Sequence, residues 1–262
     1  GGENSGGEGG RARARRARKA RERSERVRAC NARATPKSGF CREWGRTMWE
    51  KLKATGKPIL LYGMGDGAEK IAAELKKREI PIAGVFASEG FTRGQEFMGC
   101  PVTDYRSARE RYGEMVVLVC FGTHRPEVMA QIEKLAREQE LYAPDVPVAG
   151  EEIFTREYAK AHREELERVY GLLADDHSRK VLRDVVEYKL TGDIKLLRGC
   201  ESEPREAWEN ILRPGKEEHY MDLGAYTGDT IAEFIGYAGE WRRITALESE
   251  RSAFMRCITA RE

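Results

Sequence analysis

The chain has 262 residues, enough for two ordinary domains, and 40% of them are hydrophobic, so it can bury substantial cores. Its net charge of +2 is unevenly placed, because residues 1–42 hold 13 Lys or Arg against 4 Glu and the remainder is acidic. No apolar run approaches the roughly 18 residues of a membrane span, and the six cysteines are scattered without zinc spacing. We therefore expect a soluble cytoplasmic protein with reduced thiols, no metal and no membrane partner.

The segment 1–42 is a basic, low-complexity arm. Over residues 1–34, Gly, Arg, Ala, Glu and Ser alternate without apolar periodicity, so this part cannot bury enough surface to offset the entropy of ordering. We expect the arm to be disordered. Arginine-rich arms can bind nucleic acid, but no aromatic side chains for base stacking are interleaved over 1–34, so no nucleic-acid partner is expected.

The segment 43-150 is predicted to be a Rossmann-like domain, entered through an amphipathic helix over residues 40–52. Strands with continuous apolar runs alternate with helical patterns, which predicts a parallel sheet covered on both faces. The predicted elements are a strand over 59–62, a helix to Arg78, strands over 82–86 and 115–121, and a helix from about Pro126.

The first strand of this domain leads into Gly63-Met-Gly65-Asp-Gly67-Ala68, which matches the dinucleotide fingerprint with a small third residue. Ser88 and Glu89 follow the second strand, where a terminal Asp would be the usual ribose ligand. After the later strand, Thr123 and the amides of a helix start are candidates to hold an anion. Two hypotheses stay open: a nucleotide site at Gly63, Gly65, Gly67 and Thr123, or a vestigial scaffold. The neighbouring His124 is interpreted as a surface residue.

The segment 151-214 is predicted to be a helical connector. Apolar residues repeat at three and four positions over 158–173 and again over 181–190, where the pattern stops at Thr191-Gly192. We expect this connector to join two sheets and to cover the crevice of the second. Two hypotheses stay open for the segment at the end of this helix, Glu187-Tyr-Lys-Leu-Thr-Gly-Asp-Ile194. It either faces the cofactor or substrate, or it is a capped helix end with solvated charges.

The segment 215-262 is organised as a strand from His219 to Leu223, a glycine turn, a helix from Thr230 to Ala238, and a strand over 243–247. An acid, Asp222, precedes a wide Gly-x-x-x-Gly turn, and this suits the ammonium of a methionine moiety better than a phosphate. Glu248 ends the second strand at the position where an acid takes the ribose hydroxyls of an adenosine.

This pattern resembles motif I of S-adenosylmethionine-dependent methyltransferases, and more closely the FkbM family. The resemblance is carried by the residues 222–231, by Ala246-Leu-Glu248 and by the segment 187–194. It implies S-adenosyl-L-methionine as cofactor and methylation of a hydroxyl oxygen on a sugar or another natural product. It also implies a Rossmann-like domain ahead of the methyltransferase domain. The implied cofactor ligands are Asp222, Gly224, Ala225, Tyr226, Gly228, Asp229, Thr230 and Glu248.

The same resemblance sets expectations for activity and partners. A methyltransferase sheet has about seven strands, of which two lie here, so we expect an incomplete copy of the enzyme that does not turn over substrate. The partner would be a small-molecule or saccharide acceptor, and an unpaired strand edge favours self-association into homo-oligomers. The catalytic base is unassigned. The alternatives are a non-catalytic nucleotide or nucleotide-sugar binding module and an NAD-linked oxidoreductase.

Overall fold

The computed structural model describes residue 40 and residues 44–88, 90–123, 125–150 and 152–250. The predictions for the basic arm, apart from Phe40, and those for Glu89 and His124 lie outside these residues. The chain divides into two compact units, with the boundary between Cys200 and Glu201. Within the described ranges, no helix has the length and apolar character needed to cross a bilayer.

The first unit is built on a six-stranded sheet with the order β3-β4-β2-β1-β5-β6. All neighbours pair in parallel except β3, which is antiparallel to β4. The predicted parallel α/β fold is therefore confirmed. The strands are β1 Ile59–Tyr62, β2 Gly84–Ala87, β3 Glu96–Phe97, β4 Cys100–Asp104, β5 Val116–Val119 and β6 Glu140–Tyr142.

Helices cover both faces of this sheet, because successive strand residues point to opposite sides. Leu61 packs in one core cluster with the helices α1 and α2, whereas Leu60 and Tyr62 pack in the other with α3 and α4. The central strands are buried throughout, as expected for a doubly covered parallel sheet. The helices are α1 Met48–Ala54, α2 Asp66–Lys77, α3 Tyr105–Tyr112 and α4 Pro126–Glu138.

The lead-in helix begins at Met48, several residues later than predicted. Thr47 is its N-cap, and Thr47 and Glu50 form a capping box in which each side chain accepts a hydrogen bond from the other residue's backbone amide. Trp44 therefore precedes the helix instead of lying on its apolar face. Met48 and Leu52 carry the apolar contact with the sheet.

The predicted strands over 82–86 and 115–121 are present but shorter, and four elements were missed: β3, β4, α3 and β6. The strands β3 and β6 have only two and three residues, and their side chains are mostly polar or half exposed. Such short strands form because an adjacent strand supplies their hydrogen bonds, and the local sequence does not show which strand will be adjacent. The helix α3 has a polar surface. Asp104 is its N-cap, and Asp104 Oδ1 accepts a hydrogen bond from the amide of Ser107 at 2.7 Å.

The helices of the predicted connector are divided by the unit boundary. The first unit contains α5 Arg156–Ala161, α6 Arg163–Leu172, α7 Asp176–Thr191 and the 3₁₀ turn Ile194–Gly199. In α7, Val186 and Leu190 are buried, and Gly192 closes the helix in the left-handed conformation. The carbonyl of Gly192 accepts a hydrogen bond from the amide of Ala143 at 2.8 Å, which fixes the end of α7 to the segment after β6.

The second unit contains a short helical segment, α8 Pro204–Glu206 with the π-helical turn Ala207–Leu212, and then β7 His219–Leu223, α9 Asp229–Ala238 and β8 Arg243–Leu247. The strands β7 and β8 pair in parallel, so the predicted β-α-β unit is confirmed. Its core is Ala225 and Ile231, packed against Tyr220, Ile244 and Ala246. Phe234 on α9 also stacks on Tyr220, with ring centroids 4.2 Å apart.

Candidate functional site

The candidate site of the second unit lies at the carboxyl ends of β7 and β8. The parallel register pairs Asp222 with Ala246 and Leu223 with Leu247, so the residues that follow both strands emerge side by side. The amides of Gly224 and Ala225 both donate to the carbonyl of Leu247, at 2.7 and 3.0 Å. The glycine loop is thereby held against the end of β8, in the crevice where open α/β sheets bind ligands.

The loop turns sharply because three of its residues have positive φ. Gly224 has φ of 91°, Gly228 has 82°, and Tyr226, a residue with a side chain, has 44°. The amide of Gly228 donates to the carbonyl of Ala225 at 2.6 Å and closes the turn. Both glycines thus occupy conformations that other residues rarely adopt, which explains the predicted Gly-x-x-x-Gly spacing.

Glu248, the first residue after β8, is joined to this loop. Its Oε2 accepts a hydrogen bond from the amide of Tyr226 at 2.6 Å, and its Oε1 accepts one from the amide of Glu250 at 2.8 Å. The amides of Glu250 and Tyr226 lower the pKa of Glu248 below its ordinary value of 4.5, because both donate to the ionised form. Oε1 also accepts a hydrogen bond from the Ser249 hydroxyl at 3.5 Å. Because a carboxylate oxygen accepts about two hydrogen bonds, Oε2 is the oxygen that retains capacity for a ligand hydroxyl.

Asp222, near the end of β7, is oriented by the helix that follows the loop. Thr230 Oγ1 donates a hydrogen bond to Asp222 Oδ2 at 2.5 Å. Thr230 lies in the first turn of α9, whose N-cap Gly228 makes no side-chain capping bond, and Asp229 is an acidic residue in that same turn. The acid predicted to face a methionine ammonium is thus hydrogen-bonded to the first turn of the helix that follows the glycine loop.

The structure brings all eight predicted cofactor residues to this one loop, the first turn of α9 and the two strand ends beside them. Their roles differ, however, because Ala225 is only 1% exposed and its methyl group packs in the core, whereas Tyr226 is 53% exposed. Ala225 therefore shapes the loop without presenting a side chain. A Cβ added at Gly224 would meet no heavy atom within 4 Å, so the loop backbone is uncovered there.

These observations fit S-adenosylmethionine by its chemistry. The ligand combines a cationic methionine part with a ribose diol, and the site offers two carboxylates, Asp222 and Glu248, on either side of an uncovered glycine loop. Both carboxylates are held by hydrogen bonds within the chain. This arrangement costs little reorganisation on binding.

The motif over 187–194 is a capped helix end in the structure. Thr191 Oγ1 bonds to the carbonyl of Glu187 at 2.8 Å, Asp193 accepts from the amide of Lys195 at 2.9 Å, and Lys189 pairs with Asp145 at 2.8 Å. A Cβ at Gly192 would lie 2.7 Å from the sulfur of Met48. Of the two hypotheses for this motif, these contacts favour the structural one.

The first unit has its own crevice, a cavity of about 480 Å³ at the carboxyl ends of β1, β2 and β5. The four predicted nucleotide-site residues, Gly63, Gly65, Gly67 and Thr123, all line it. Sequence reasoning did not assign several other lining side chains to the site, among them Phe91, Phe121 and Arg125. The only local signal was the position of Arg125 directly before Pro126, the first residue of a helix.

Cys120 also lines this cavity, and the prediction that it is a core residue agrees with its environment. The side chain is 6% exposed, and burial raises the pKa of the Cys120 thiol to about 12. The thiolate that a nucleophile requires is therefore negligible at neutral pH.

No protein-family model matches this sequence, and no curated protein matches it. Among solved structures, the chain is similar to the crystal structure of methyltransferase FkbM from Methylobacillus flagellatus KT. The two chains are 16% identical with a TM-score of 0.56, and the match covers 90% of this chain and 67% of that one. The similarity establishes the fold: an α/β protein with a Rossmann-like architecture of the kind found in that methyltransferase.

Proposed function

We propose that this protein is an S-adenosylmethionine-dependent methyltransferase whose cofactor binds at the glycine loop of the second unit. The observation that carries the proposal is the bond from the Tyr226 amide to Glu248, which joins the loop to the acid predicted to bind the ribose. The fold similarity to an FkbM methyltransferase also supports this proposal. In this proposal Glu248 accepts from the ribose hydroxyls, and Asp222 faces the methionine ammonium.

When bound, the cofactor would supply an electrophilic methyl group on a sulfonium. The residues of this chain would bind and orient it: the loop backbone would contact the methionine and ribose, and Thr230 keeps the Asp222 carboxylate in place. Alignment of donor and acceptor supplies much of the rate in such a displacement. We propose a hydroxyl group of a sugar or related natural product as acceptor. No described residue is assigned as the base for its proton, so cofactor binding is the property to test first.

The test is calorimetric titration of the full chain with S-adenosylhomocysteine. We expect saturable binding at one site, weakened at least tenfold in Glu248→Ala, because the ribose hydroxyls lose an ionised acceptor. Gly224→Val should also weaken binding, since a side chain would enter the uncovered part of the loop. Glu240→Ala, an exposed acid between α9 and β8, is the matched control. Equal affinity in wild type and Glu248→Ala would contradict the proposal.

A second candidate function, ligand binding by the first unit, is favoured by the cavity at its strand ends. The NAD-linked oxidoreductase alternative is less favoured. Ser88 follows β2 where a dinucleotide-binding enzyme usually places an acid, and the Ser88 hydroxyl is 2.5 Å from the hydroxyl of Tyr62.

A further inference from the structure

The cavity of the first unit has the position and size of a ligand site. The strand β1 lies between β2 and β5, so the chain passes to opposite sides of β1 as it continues, and the cavity opens at this switch point. In open α/β sheets, ligands bind at this location. A volume of about 480 Å³ falls within the usual range for small-molecule sites.

The cavity walls are suited to a flat, partly apolar group. Phe91 and Phe121 line the cavity and remain 58% and 38% exposed, although large aromatic side chains normally gain from burial. Tyr62 packs edge-on against Phe121, with ring centroids 5.0 Å apart, and so fixes one aromatic wall. The Ser88 hydroxyl adds a polar group at the end of β2. A nucleobase with its ribose has this combination of a flat face and polar edges.

Another part of the lining is formed by the backbone of the glycine loop and of the start of α2, and it is suited to an anion. A Cβ at Gly67 would lie 2.2 Å from the carbonyl oxygen of Cys120, so this glycine lets the start of α2 approach the end of β5 closely. Gly65, with φ of 151°, is the N-cap of α2 and provides no side chain over the amides. The helix α4 also starts at this cavity, but the amide of its N-cap Arg125 donates to Thr123 Oγ1 at 3.2 Å and Pro126 has no amide hydrogen, so this helix contributes the Arg125 side chain instead of backbone donors.

The charged side chains at the rim of the cavity also favour binding of an anion. Arg125 lines the cavity and pairs with Glu127, through Nε to Oε1 at 2.7 Å. Among the described lining residues, Asp66 has the one carboxylate that would oppose an anion, and the ammonium of Lys70, 2.8 Å away, compensates its charge. An entering anion would therefore compete with Glu127 for the guanidinium.

We propose that this cavity binds a nucleoside diphosphate, with the base and ribose against the aromatic wall and the diphosphate between Gly65 and Arg125. Dinucleotides and sugar nucleotides share this chemistry, and the experiment below distinguishes them. The proposal concerns a site in the first unit and does not rest on the methyltransferase assignment.

The experiment is calorimetric titration of the full chain with NAD⁺, uridine diphosphate glucose and the simple diphosphates ADP and UDP. Three variants at or in α4 test the role of Arg125, and one of them makes the same substitution away from the cavity as a control. Arg125→Gln removes the charge at the cavity, whereas Arg137→Gln makes the same change at the exposed far end of α4. Glu127→Gln removes the carboxylate that competes for Arg125.

We expect at least one nucleotide to bind saturably, with affinity about tenfold lower in Arg125→Gln, because a charge-assisted hydrogen bond is lost. Affinity should be unchanged in Arg137→Gln and about twofold to fivefold higher in Glu127→Gln, the range of an exposed ion pair. If uridine diphosphate glucose and UDP bind and NAD⁺ does not, the cavity is a sugar-nucleotide site. If NAD⁺ and ADP bind and the uridine nucleotides do not, it is a dinucleotide site.

The result that overturns the proposal is either the absence of binding by all four nucleotides or binding that Arg125→Gln and Arg137→Gln affect equally. Circular dichroism of each variant checks that the fold is retained. Glu248→Ala should leave nucleotide affinity unchanged, so failure here and failure of the S-adenosylhomocysteine titration are separate outcomes.

Discussion

The backbone amide of Tyr226 donates a hydrogen bond to Glu248 Oε2 over 2.6 Å, although the two residues are 22 positions apart in sequence. Tyr226 belongs to the loop after β7, and Glu248 directly follows β8. The bond therefore links the two strand ends between which we propose the cofactor to lie. It also stabilises a loop in which Tyr226 has a positive φ of 44°.

The first prediction concerns the order of this loop. Glu248→Ala removes the acceptor of the Tyr226 amide, so this amide should exchange with solvent roughly tenfold faster in hydrogen-exchange measurements. Glu248→Gln retains a carbonyl acceptor at the same place and should largely preserve protection. If the Tyr226 amide exchanges equally fast in wild type and in Glu248→Ala, the bond does not order the loop.

The second prediction is the pH dependence of the same contact. The folded-state pKa of Glu248 is depressed because the amides of Glu250 and Tyr226 stabilise the carboxylate. Its stabilising contribution is therefore fully present above the unfolded value near 4.5 and is lost as pH falls through the lower folded pKa. Nuclear magnetic resonance titration of the Glu248 carboxyl should give a midpoint below 4.5. A midpoint at or above 4.5 would show that the two amide bonds do not form in solution.

The second prediction extends to ligand binding, because the same ionisation determines how the affinity depends on pH. Because the pKa of Glu248 is lowered below its ordinary value of 4.5, its contribution to S-adenosylhomocysteine affinity should be nearly constant between about pH 5 and 7. The ratio of wild-type to Glu248→Gln affinity, measured by calorimetry, isolates this contribution from other titrating groups. We expect a flat ratio in this window and a decrease only at more acidic pH.

The third prediction concerns the pair Thr230 and Asp222. Thr230→Val removes the hydroxyl that donates to Asp222 Oδ2, and Asp222→Asn removes the charge that the hydroxyl orients. Each change should weaken S-adenosylhomocysteine binding about tenfold, and the double variant should lose less than the sum of the two effects on the binding free energy, because both changes act on one interaction. Thr230→Ser retains the hydroxyl and should restore affinity. Independent effects that add fully would contradict a positioning role for Thr230.

The fourth prediction tests the close approach of α2 and β5 in the first unit. A Cβ at Gly67 would lie 2.2 Å from the Cys120 carbonyl oxygen, so Gly67→Ala must push the helix away from the strand. The free energy of unfolding should fall by about 1–3 kcal/mol in denaturant titration. Gly56→Ala, where a Cβ would meet no heavy atom within 4 Å, is the matched control and should change stability little. Equal stability of the two variants would mean that the helix start adjusts freely.

Sequence reasoning was most accurate where structure depends on near neighbours. The limits of β7 and β8 were predicted as observed, because apolar strand residues are followed directly by glycines or an acid that end them. The turn at Gly224 and Gly228 was equally accessible, since positive φ favours glycine at both positions. The same holds for the end of α7 at Gly192.

Sequence reasoning failed where an element depends on a distant partner. The edge strand β3, Glu96–Phe97, has two residues and exists through its pairing with β4, while β6 pairs with β5. Neither strand is apolar enough to be recognised alone. Arg125 was missed for a related reason, because its place at the cavity depends on how β5 and α4 are packed in the sheet.

By itself, the sequence determined the alternation of strands and helices, the glycine turns and the identity of the acids beside the second loop, because these follow from local propensity and spacing. Only the tertiary structure decided which of these groups meet. The parallel register of Leu223 with Leu247 brings Glu248 to the Tyr226 amide, and the packing of α2 against β5 forms the cavity that Arg125 lines. The physical reason is that hydrogen bonds between strands and helix packing join residues far apart in the chain.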